Sequence, residues 1–589
     1  MGINFQQLYC IKIFSCRFVL HTINKMKQLI TFLTLTVFAL SGYSQTRYLQ
    51  EVFTDAQINI TNGVPYAANL SLEPLIISNL TGQPPVPPGL DTLLMDIYQP
   101  NQVVDLVTSR PLIIYVPTGN FLPPGFNGSP TGNRKDSSAV NIAKSMAKRG
   151  FVVAVIDYRL GWNPVSPNQV IRTGTILNAA YKGQQDSKAA VRFFRADVAV
   201  NNLFKIDGSK IALLGEGTGG YIAMAHAYLD KPFKIARLPG LGSTKFLRST
   251  NPDISVIDTL KIGNYDGTNF IAPNGSLLQQ TGDLLDIIGN IPNNPQYDSK
   301  VQVVINLGGA LGDTSWIDAG QIPFISLHAV RDPNAPYQIG DVIVPTTGNL
   351  VIPFASGSGF NITQVTALGN NSSFQAKTFT DAVSVRAQSL YNTSISFDSS
   401  PIAIGNGKGL YPFILPENPV RRFNHGSPWQ FWNSAQGSAQ FPVQTPNGVI
   451  TTHVAGTLSN PFMAQSNEVG RATAITYIDT IAQFVSPRLA CALGLAECNV
   501  IGIENKSNIA SSITIFPNPA NQLVNIALKN DADQMQSIRI FDVTGKLVES
   551  IQAINQSIYQ YNRKSLNAGV YLFEVQTNKG TGTVKVTIQ

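Results

Sequence analysis

Charge is scarce in this chain of 589 residues. Only 13% are Asp, Glu, Lys or Arg, and the formal net charge is +7. Lys12, Arg17, Lys25 and Lys27 fall in the first 44 residues, which hold no acid, so the rest of the chain drops from +7 to +3. A nearly neutral chain without a basic stripe lacks the electrostatics of a nucleic-acid partner. Histidine is scarcer still: His21, His226, His328, His425 and His453 are the whole supply. Any imidazole chemistry is therefore confined to a few positions. No apolar run reaches the ~20 residues of a membrane-spanning helix. There is no phosphate loop, no dinucleotide fingerprint and no metal-ligand spacing. Asp313 and Asp318 stand in too scattered a pattern for a calcium loop. No cofactor and no metal are expected.

Cysteine is limited to Cys10, Cys16, Cys491 and Cys498. The first two precede or adjoin a leader. From Met26 the chain reads Met-Lys-Gln, then an apolar run from Leu29 to Leu40, then Ser-Gly-Tyr-Ser-Gln. A positive start, a short apolar run and small residues predict a secretory signal peptide, cut between Ser44 and Gln45. That leader is complete without residues 1–25, so the true start is expected at Met26. In an exported chain, Cys491 and Cys498 predict a small disulfide; two cysteines alone give a metal too few ligands.

Several strong elements can be read between these ends. Leu93–Pro100 predicts a strand ending at proline. Residues 112–116, Phe151–Ile156, Ile211–Leu214, Val301–Leu307 and Ile322–His328 are continuous apolar runs, the pattern of strands buried on both faces. Asp136 is expected to cap a helix that carries Val140, Ala143, Met146 and Ala147 and ends at Gly150. A second helix is expected over about 184–196, and a last strand over about 410–415. Strand and helix alternate, which predicts a parallel sheet with right-handed crossovers. Residues 225–300 are expected to be an insertion near the mouth of the sheet. Residues 340–400 read as a β-rich insertion or a cap. After a linker at 499–512, residues 513–589 alternate apolar and polar with turns at Asn518-Pro519, Thr544-Gly545 and Asn567-Ala568-Gly569. That is the pattern of a small all-β, Ig-like sandwich.

The C-terminal segment resembles the type A sorting domain of the type IX secretion system of Bacteroidetes. The resemblance lies in Ile515-Phe516-Pro517-Asn518-Pro519-Ala520, Phe541-Asp542-Val543-Thr544-Gly545-Lys546-Leu547-Val548, Leu566-Asn567-Ala568-Gly569-Val570-Tyr571-Leu572 and Lys585-Val586-Thr587-Ile588. It implies recognition by that secretion machinery through residues 513–589, export across the outer membrane, removal of the domain, and release or anchoring at the surface. A generic β-sandwich binding module is the plainer alternative.

Residues 88–430 resemble secreted carboxylesterase-like α/β-hydrolases. The match rests on Met95–Pro100, Pro111–Val116, Asp157-Tyr158-Arg159-Leu160-Gly161, Gln185–Arg195 and Lys210-Ile-Ala-Leu-Leu-Gly-Glu-Gly-Thr-Gly-Gly220. It implies an α/β-hydrolase fold, a mostly parallel sheet flanked by helices, over residues 45–498. The last block is a strand, a Gly-rich turn and a helix start, similar to the family's nucleophile elbow G-x-S-x-G. Gly215 and Gly219 are its flanking glycines, and the serine position is Gly217.

Such an enzyme needs a nucleophile, a histidine, an acid and two oxyanion donors. Gly217 keeps the turn but cannot attack a carbonyl. A one-residue shift would make Thr218 the nucleophile, at the price of Glu216 on a glycine position and a β-branched residue on the strained turn. Unshifted, Thr218 lends only its backbone N–H to the oxyanion hole. Where the family has a His-Gly-Gly run, this chain has Pro117-Thr118-Gly119-Asn120-Phe121, which leaves Gly119 or Asn120 as the other donor. Asp332 falls on the acid position, with a loop Asp that caps a turn as the plainer alternative. His328 matches a non-catalytic histidine of the family and reads as structural. His226 is expected to be buried. His425, and less so His453, are left for the base, or the triad histidine is absent. Trp429, Phe431 and Trp432 either line a cleft or pack a core or lid.

Three functions follow from these residues. The first is a degenerate hydrolase that binds an unidentified small-molecule or polymer ligand, or a partner, through its old cleft. The second is a working esterase using Thr218, His425 and Asp332. The third is a structural surface protein.

Overall fold

Uninterrupted runs of Val, Ile and Leu become the central strands because such strands are covered on both faces. In the computed structural model these strands are β1 Ile58–Ser71, β2 Gly89–Pro100, β3 Arg110–Val116, β4 Val152–Ile156, β5 Ile206–Glu216, β6 Val303–Leu307, β7 Phe324–Ala329 and β8 Leu410–Phe413. The structure describes residues 47–589 except 124–125, 128, 236–245, 249–250, 274–288, 344–347, 398–399, 416–424, 433–439, 445–449, 455–466, 501–509, 531, 544–545, 564–565 and 578–579. The leader expected over residues 1–44 lies outside the described residues, as does most of the expected linker.

The eight strands form one sheet in the order β1-β2-β4-β3-β5-β6-β7-β8. β2 runs antiparallel to β1 and β4, and all later pairs are parallel. Helices α1 Ser137–Lys148, α2 Gln169–Val200, α3 Thr218–Tyr228, α4 Ser358–Ala367 and α5 Asn467–Ala492 accompany the sheet. Side chains along β3 alternate between two cores: Leu112, Ile114 and Val116 join one, Ile113 and Tyr115 the other. This is the mostly parallel, helix-flanked architecture of an α/β-hydrolase.

Three local expectations need correction. α2 is far longer than 184–196. Its Asn168 cap accepts from the Val170 N–H at 2.9 Å, and its first half is rich in Thr, Asn and Gly, which hide a helix from propensity. Residues 340–400 are not β-rich throughout. They hold α4 and two short helices, Ser372–Gln375 and Ala382–Gln388, between the hairpins Ile339–Ile343/Leu350–Ser356 and Ser394–Phe397/Ser400–Ala403. Ile362 and Val365 bury themselves at helical spacing there. Finally, Asp136 does stand at the start of α1, but its side chain makes no cap bond. It accepts instead from the N–H groups of Gly132 and Asn133, at 2.7 and 3.0 Å.

The described residues divide into two compact units, one ending at Ile501 and one starting at Gly502. In the first unit, Cys491 and Cys498 are joined by a disulfide at the end of α5. Among its described residues the second unit has seven strands: β9 Ile513–Phe516, β10 Leu523–Leu528, β11 Met535–Asp542, β12 Leu547–Gln556, β13 Ile558–Asn562, β14 Gly569–Thr577 and β15 Gly580–Ile588. They make two antiparallel sheets, β9-β10-β13 and β12-β11-β14-β15. Alternate residues such as Val524, Ile526, Ile538, Ile540, Phe573 and Val575 fill one core between them.

Candidate functional site

β5 enters a turn at Gly217 and leaves it as α3. Close approach requires the flanking glycines: a Cβ on Gly215 would overlap the Gly219 carbonyl, and one on Gly219 would overlap that of Val116. Gly217 itself has φ +53° and ψ −117°, a conformation costly for any residue with a side chain. Its N–H donates to Leu307 O at 2.8 Å, on β6.

A second feature of Gly217 was not legible in the sequence. A Cβ built there would run into Thr118 Oγ1 and lie 3.0 Å from Thr118 Cβ. Thr118 thus occupies the space a nucleophile's side chain would need.

The oxyanion side is also occupied from within. Asn120 and Phe121 both have φ near +54°, in the left-handed region that non-glycine residues rarely enter. The Asn120 N–H donates to Thr218 Oγ1 at 3.2 Å. Tyr158 Oη lies 3.4 Å from the same hydroxyl, and Trp162 Nε1 donates to Asn120 O at 2.7 Å. Gly119 stacks against Gly132, whose carbonyl would lie 3.1 Å from an added Cβ. Burial pushes the Tyr158 phenol well up, so it keeps its proton and is no base for Thr218.

The acid corner lies past β7. Asp332 Oδ1 accepts from the N–H groups of Asn334 (2.8 Å) and Ala335 (3.2 Å). Its Oδ2 stands 3.5 Å from His328 Nε2. His328 Nδ1 is 2.7 Å from Ser358 Oγ, at the start of α4, and that hydroxyl also meets Ser326 and Asn306. Ser358, His328 and Asp332 look like a triad, but Ser358 and His328 are fully buried. His328 Nε2 makes no hydrogen bond, so the pair stands behind the acid corner without holding it.

His425 follows β8, and its N–H donates to Arg331 O at 3.3 Å. A Cβ on the adjacent Gly426 would be 3.0 Å from Asp332 Oδ1. The His425 and Asp332 loops are therefore neighbours. Gly308, one residue past the Leu307 carbonyl that holds the elbow, faces Asp332 Oδ2 and the Trp429 ring, each 3.5 Å from an added Cβ. The elbow, Asp332 and the His425–Trp429 segment thus meet along the carboxyl ends of β5 to β8, where open α/β sheets bind ligands.

The remaining histidines stand apart. His226 is held by Ser187 Oγ (2.8 Å) and Ser299 O (2.9 Å). Burial, then the Lys188 charge, lower its pKa to about 3, so it stays neutral. His453 is on the strand Ile450–Val454, paired with Gln440–Gln444.

Trp429 and Trp432 do not line an open cleft. Both are buried, Trp429 completely. Trp429 Nε1 donates to Glu216 Oε1 at 2.8 Å, as does Gln430 Nε2. Tyr115 Oη donates to Glu216 Oε2 at 2.6 Å, and Ser138 Oγ lies 3.3 Å from it. Glu216 is therefore an unexposed carboxylate held by neutral donors directly beneath the elbow, and sequence reasoning assigned it no role. The signal was there: an acid closing the apolar run Ile211–Leu214 must find several donors when buried. Asp136 adds a second buried carboxyl nearby. Its burial raises its pKa to about 8, against the pull of the Gly132 and Asn133 N–H groups and with a small push from Glu216.

Among the described residues no group of three or more His, Cys, Asp or Glu could hold a metal ion. No described helix is long and apolar enough to cross a membrane.

Residues 95–343 match the BD-FAE family model, and residues 514–589 match the model of the secretion system C-terminal sorting domain. A neuroligin-like protein of Caenorhabditis elegans, glit-1, is 25% identical over 212 residues, or 34% of this chain and 26% of that protein. The chain thus spans about a quarter of that relative's length. Among solved structures it is similar to esterase 2 of Thermogutta terrifontis. The apo form is 16% identical, with 42% of this chain and 70% of that one covered and a TM-score of 0.23. The form phosphorylated by paraoxon is 17% identical, with 42% and 69% covered and a TM-score of 0.23. At such superposition the fold rests on the strand order and the family match. The chain carries an esterase-like α/β-hydrolase domain and, behind it, a sorting domain that addresses it through type IX secretion to the cell surface or the extracellular space.

Proposed function

We propose that the hydrolase-like domain is catalytically silent and serves, once exported, to hold a small-molecule or polymer ligand, or a partner, through the cleft it retains. One observation carries this reading. Gly217 keeps the backbone of a nucleophile elbow while Thr118 fills the room its side chain would need. Loss of the nucleophile alone would leave a gap at the elbow. Filling that gap, and turning Thr218 Oγ1 onto the Asn120 N–H, are what a site released from catalysis would accumulate. The rival reading, an esterase using Thr218 with His425 and Asp332, requires that hydroxyl to leave Asn120 and Tyr158 and reach an imidazole. Asp332 keeps its acid position in both readings.

Turnover of p-nitrophenyl butyrate by the purified exported chain separates them. The wild type is expected to be silent, G217S nearly so because of Thr118, and T118G/G217S to gain turnover above background. Wild-type turnover that T218A abolishes would overturn the proposal in favour of a shifted nucleophile. If no variant turns over yet all fold, the loss extends beyond the nucleophile to the histidine.

A further inference from the structure

The connection between β1 and β2 encloses a cavity of about 470 Å³ in which the elbow takes no part. It is built from the helix Glu73–Thr81, the stretch 82–88 and the first residues of β2. The helix uses two faces. Ile76 and Leu80 are buried in the core. A Cβ on Gly161, in the loop after β4, would lie 2.9 Å from Leu72 Cβ and 3.1 Å from Ile76 Cγ1, so this face is pressed onto that loop. Glu73, Ile77 and Thr81 are four apart, which stacks them on another face, and all three line the cavity. The stretch 82–88 is stiff. It reads Gly-Gln-Pro-Pro-Val-Pro-Pro, and each proline fixes its own φ. It is also tied back to the helix. The Gln83 N–H donates to Ser78 O at 2.9 Å and the Val86 N–H to Ser78 Oγ at 3.1 Å. The cavity is therefore preformed, and its size is that of a small-molecule site.

Its lining carries charge of one sign. Glu73 and Asp91 are both part of it, and no Lys, Arg or His is. The ladder of β1 and β2 brings the two acids there: Ser71 pairs with Gly89, and each acid stands two residues after one member of that pair. Among the described residues neither carboxylate has a hydrogen-bond or ion-pair partner. Burial, then the Asp91 and Asp157 charges, raise the Glu73 carboxyl above its usual range. Much of the remaining wall is apolar, from Pro74, Ile77, Val86 and Leu90. Leu90 is 69% exposed, an apolar side chain at the cavity with little to cover it.

These two properties select a guest. A neutral apolar molecule would take water from two carboxylates and give nothing back. An anion would be repelled. A calcium ion takes about six to eight oxygens, and the Ser78 and Thr81 hydroxyls already donate to Leu75 O and Ile77 O. A metal would also leave the apolar wall unused. An ammonium group on an apolar body uses everything: its N–H groups donate to Glu73 and Asp91, and its body covers Pro74, Ile77 and Leu90. We infer that this cavity is a binding site for a small primary amine, held by its ammonium head between Glu73 and Asp91. The inference goes beyond the proposed function and does not rest on it, because no residue of the elbow, the oxyanion side or the acid corner lines the cavity.

The test is calorimetric titration of the full-length exported chain near pH 7.5, where an amine keeps its proton. Hexylamine is the probe. Hexan-1-ol has the same body without the charge, methylamine has the charge without the body, and calcium chloride supplies a compact cation. Wild type should bind hexylamine saturably and about tenfold or more tighter than hexan-1-ol or methylamine. E73Q and D91N keep the side-chain shapes and break no bond. Each should weaken hexylamine about three- to tenfold, and the double variant should no longer prefer it to hexan-1-ol. Equal binding of hexan-1-ol and hexylamine by wild type would overturn the choice of a cation. Calcium binding that E73Q abolishes would overturn the amine in favour of a metal. Tighter binding of the capped peptide Ala-Lys-Ala than of hexylamine would move the assignment from a free amine to a lysine side chain of a protein. No saturable hexylamine binding, or binding undiminished in the double variant, would remove the site.

Discussion

At the ends of β7 and β8, Asp332 is held by two backbone donors, with a buried histidine behind it and the His425 loop alongside. At the ends of β3 and β5, on the proposed reading, the corresponding features are altered: Gly217 stands where a nucleophile would, Thr118 fills the space of its side chain, and Thr218 Oγ1 accepts from the Asn120 N–H. The two corners belong to one sheet and differ in what fixes them. His328, beside the acid corner, is tied to the core through Ser358, Ser326 and Asn306, so packing resists change around it. A side chain on the elbow meets Thr118, and a change to glycine there releases both the contact and backbone strain.

The elbow corner also rests on two buried carboxyls without a cation, Asp136 and Glu216, and this offers the sharpest ways to test the contrast. The largest effect expected is a pH effect. Folded Asp136 keeps its proton up to about pH 8, while an unfolded Asp loses it near 4. The native state thus binds the extra proton across that window. Its contribution is complete below about pH 4 and is lost as pH rises toward 8, on the order of 5 kcal/mol in all. Urea unfolding at pH 4.5, 6 and 8 should show this decline in wild type and a flatter profile in D136N. Equal slopes in both would mean that Asp136 is solvated.

Next in size is E216A. It strands the donors of Tyr115, Trp429 and Gln430, and should destabilise by about 3–5 kcal/mol, with E216Q milder. Equilibrium unfolding beside D332A, which strands only two loop N–H groups and should lose about 1–3 kcal/mol, tests the ranking. A larger loss in D332A would reverse the comparison. Smaller again is G217S, at about 1–3 kcal/mol for the positive φ, plus the collision with Thr118. T118G should recover part of that loss in the double variant and none in isolation. Additive effects of the two changes would show that Thr118 moves freely.

Much of the fold could be read from the chain because its signals are local. The apolar runs at 112–116, 151–156 and 301–307 are strands on sight, and Gly215, Gly217 and Gly219 mark a turn that only close backbone approach requires. The β-sandwich alternation after residue 513 is equally plain. α2 was half hidden because Thr173, Gly174, Thr175 and Asn178 are poor helix formers, and tertiary burial keeps them helical. In the candidate site, Gly217 and Asp332 could be named from motif spacing. Thr118 as an obstacle could not, since it lies far from Gly217 along the chain and meets it only through the pairing of β3 with β5. The role of Glu216 is not legible because its donors, Tyr115, Trp429 and Gln430, come from segments far away along the chain. His328 is buried and bonded to Ser358 Oγ, with its Nε2 left unpartnered beside Asp332, an arrangement that the chain alone did not signal.

The meeting of Thr118 with Gly217 works as a ratchet. A serine on the elbow and this threonine collide, so on the proposed reading the glycine had to come first or the two together. With the threonine in place, the reverse step is closed, because a returning serine finds no room. Descent through single substitutions can then leave this state only by way of residue 118, and that gives the two changes a direction in time that a lone missing serine would not have.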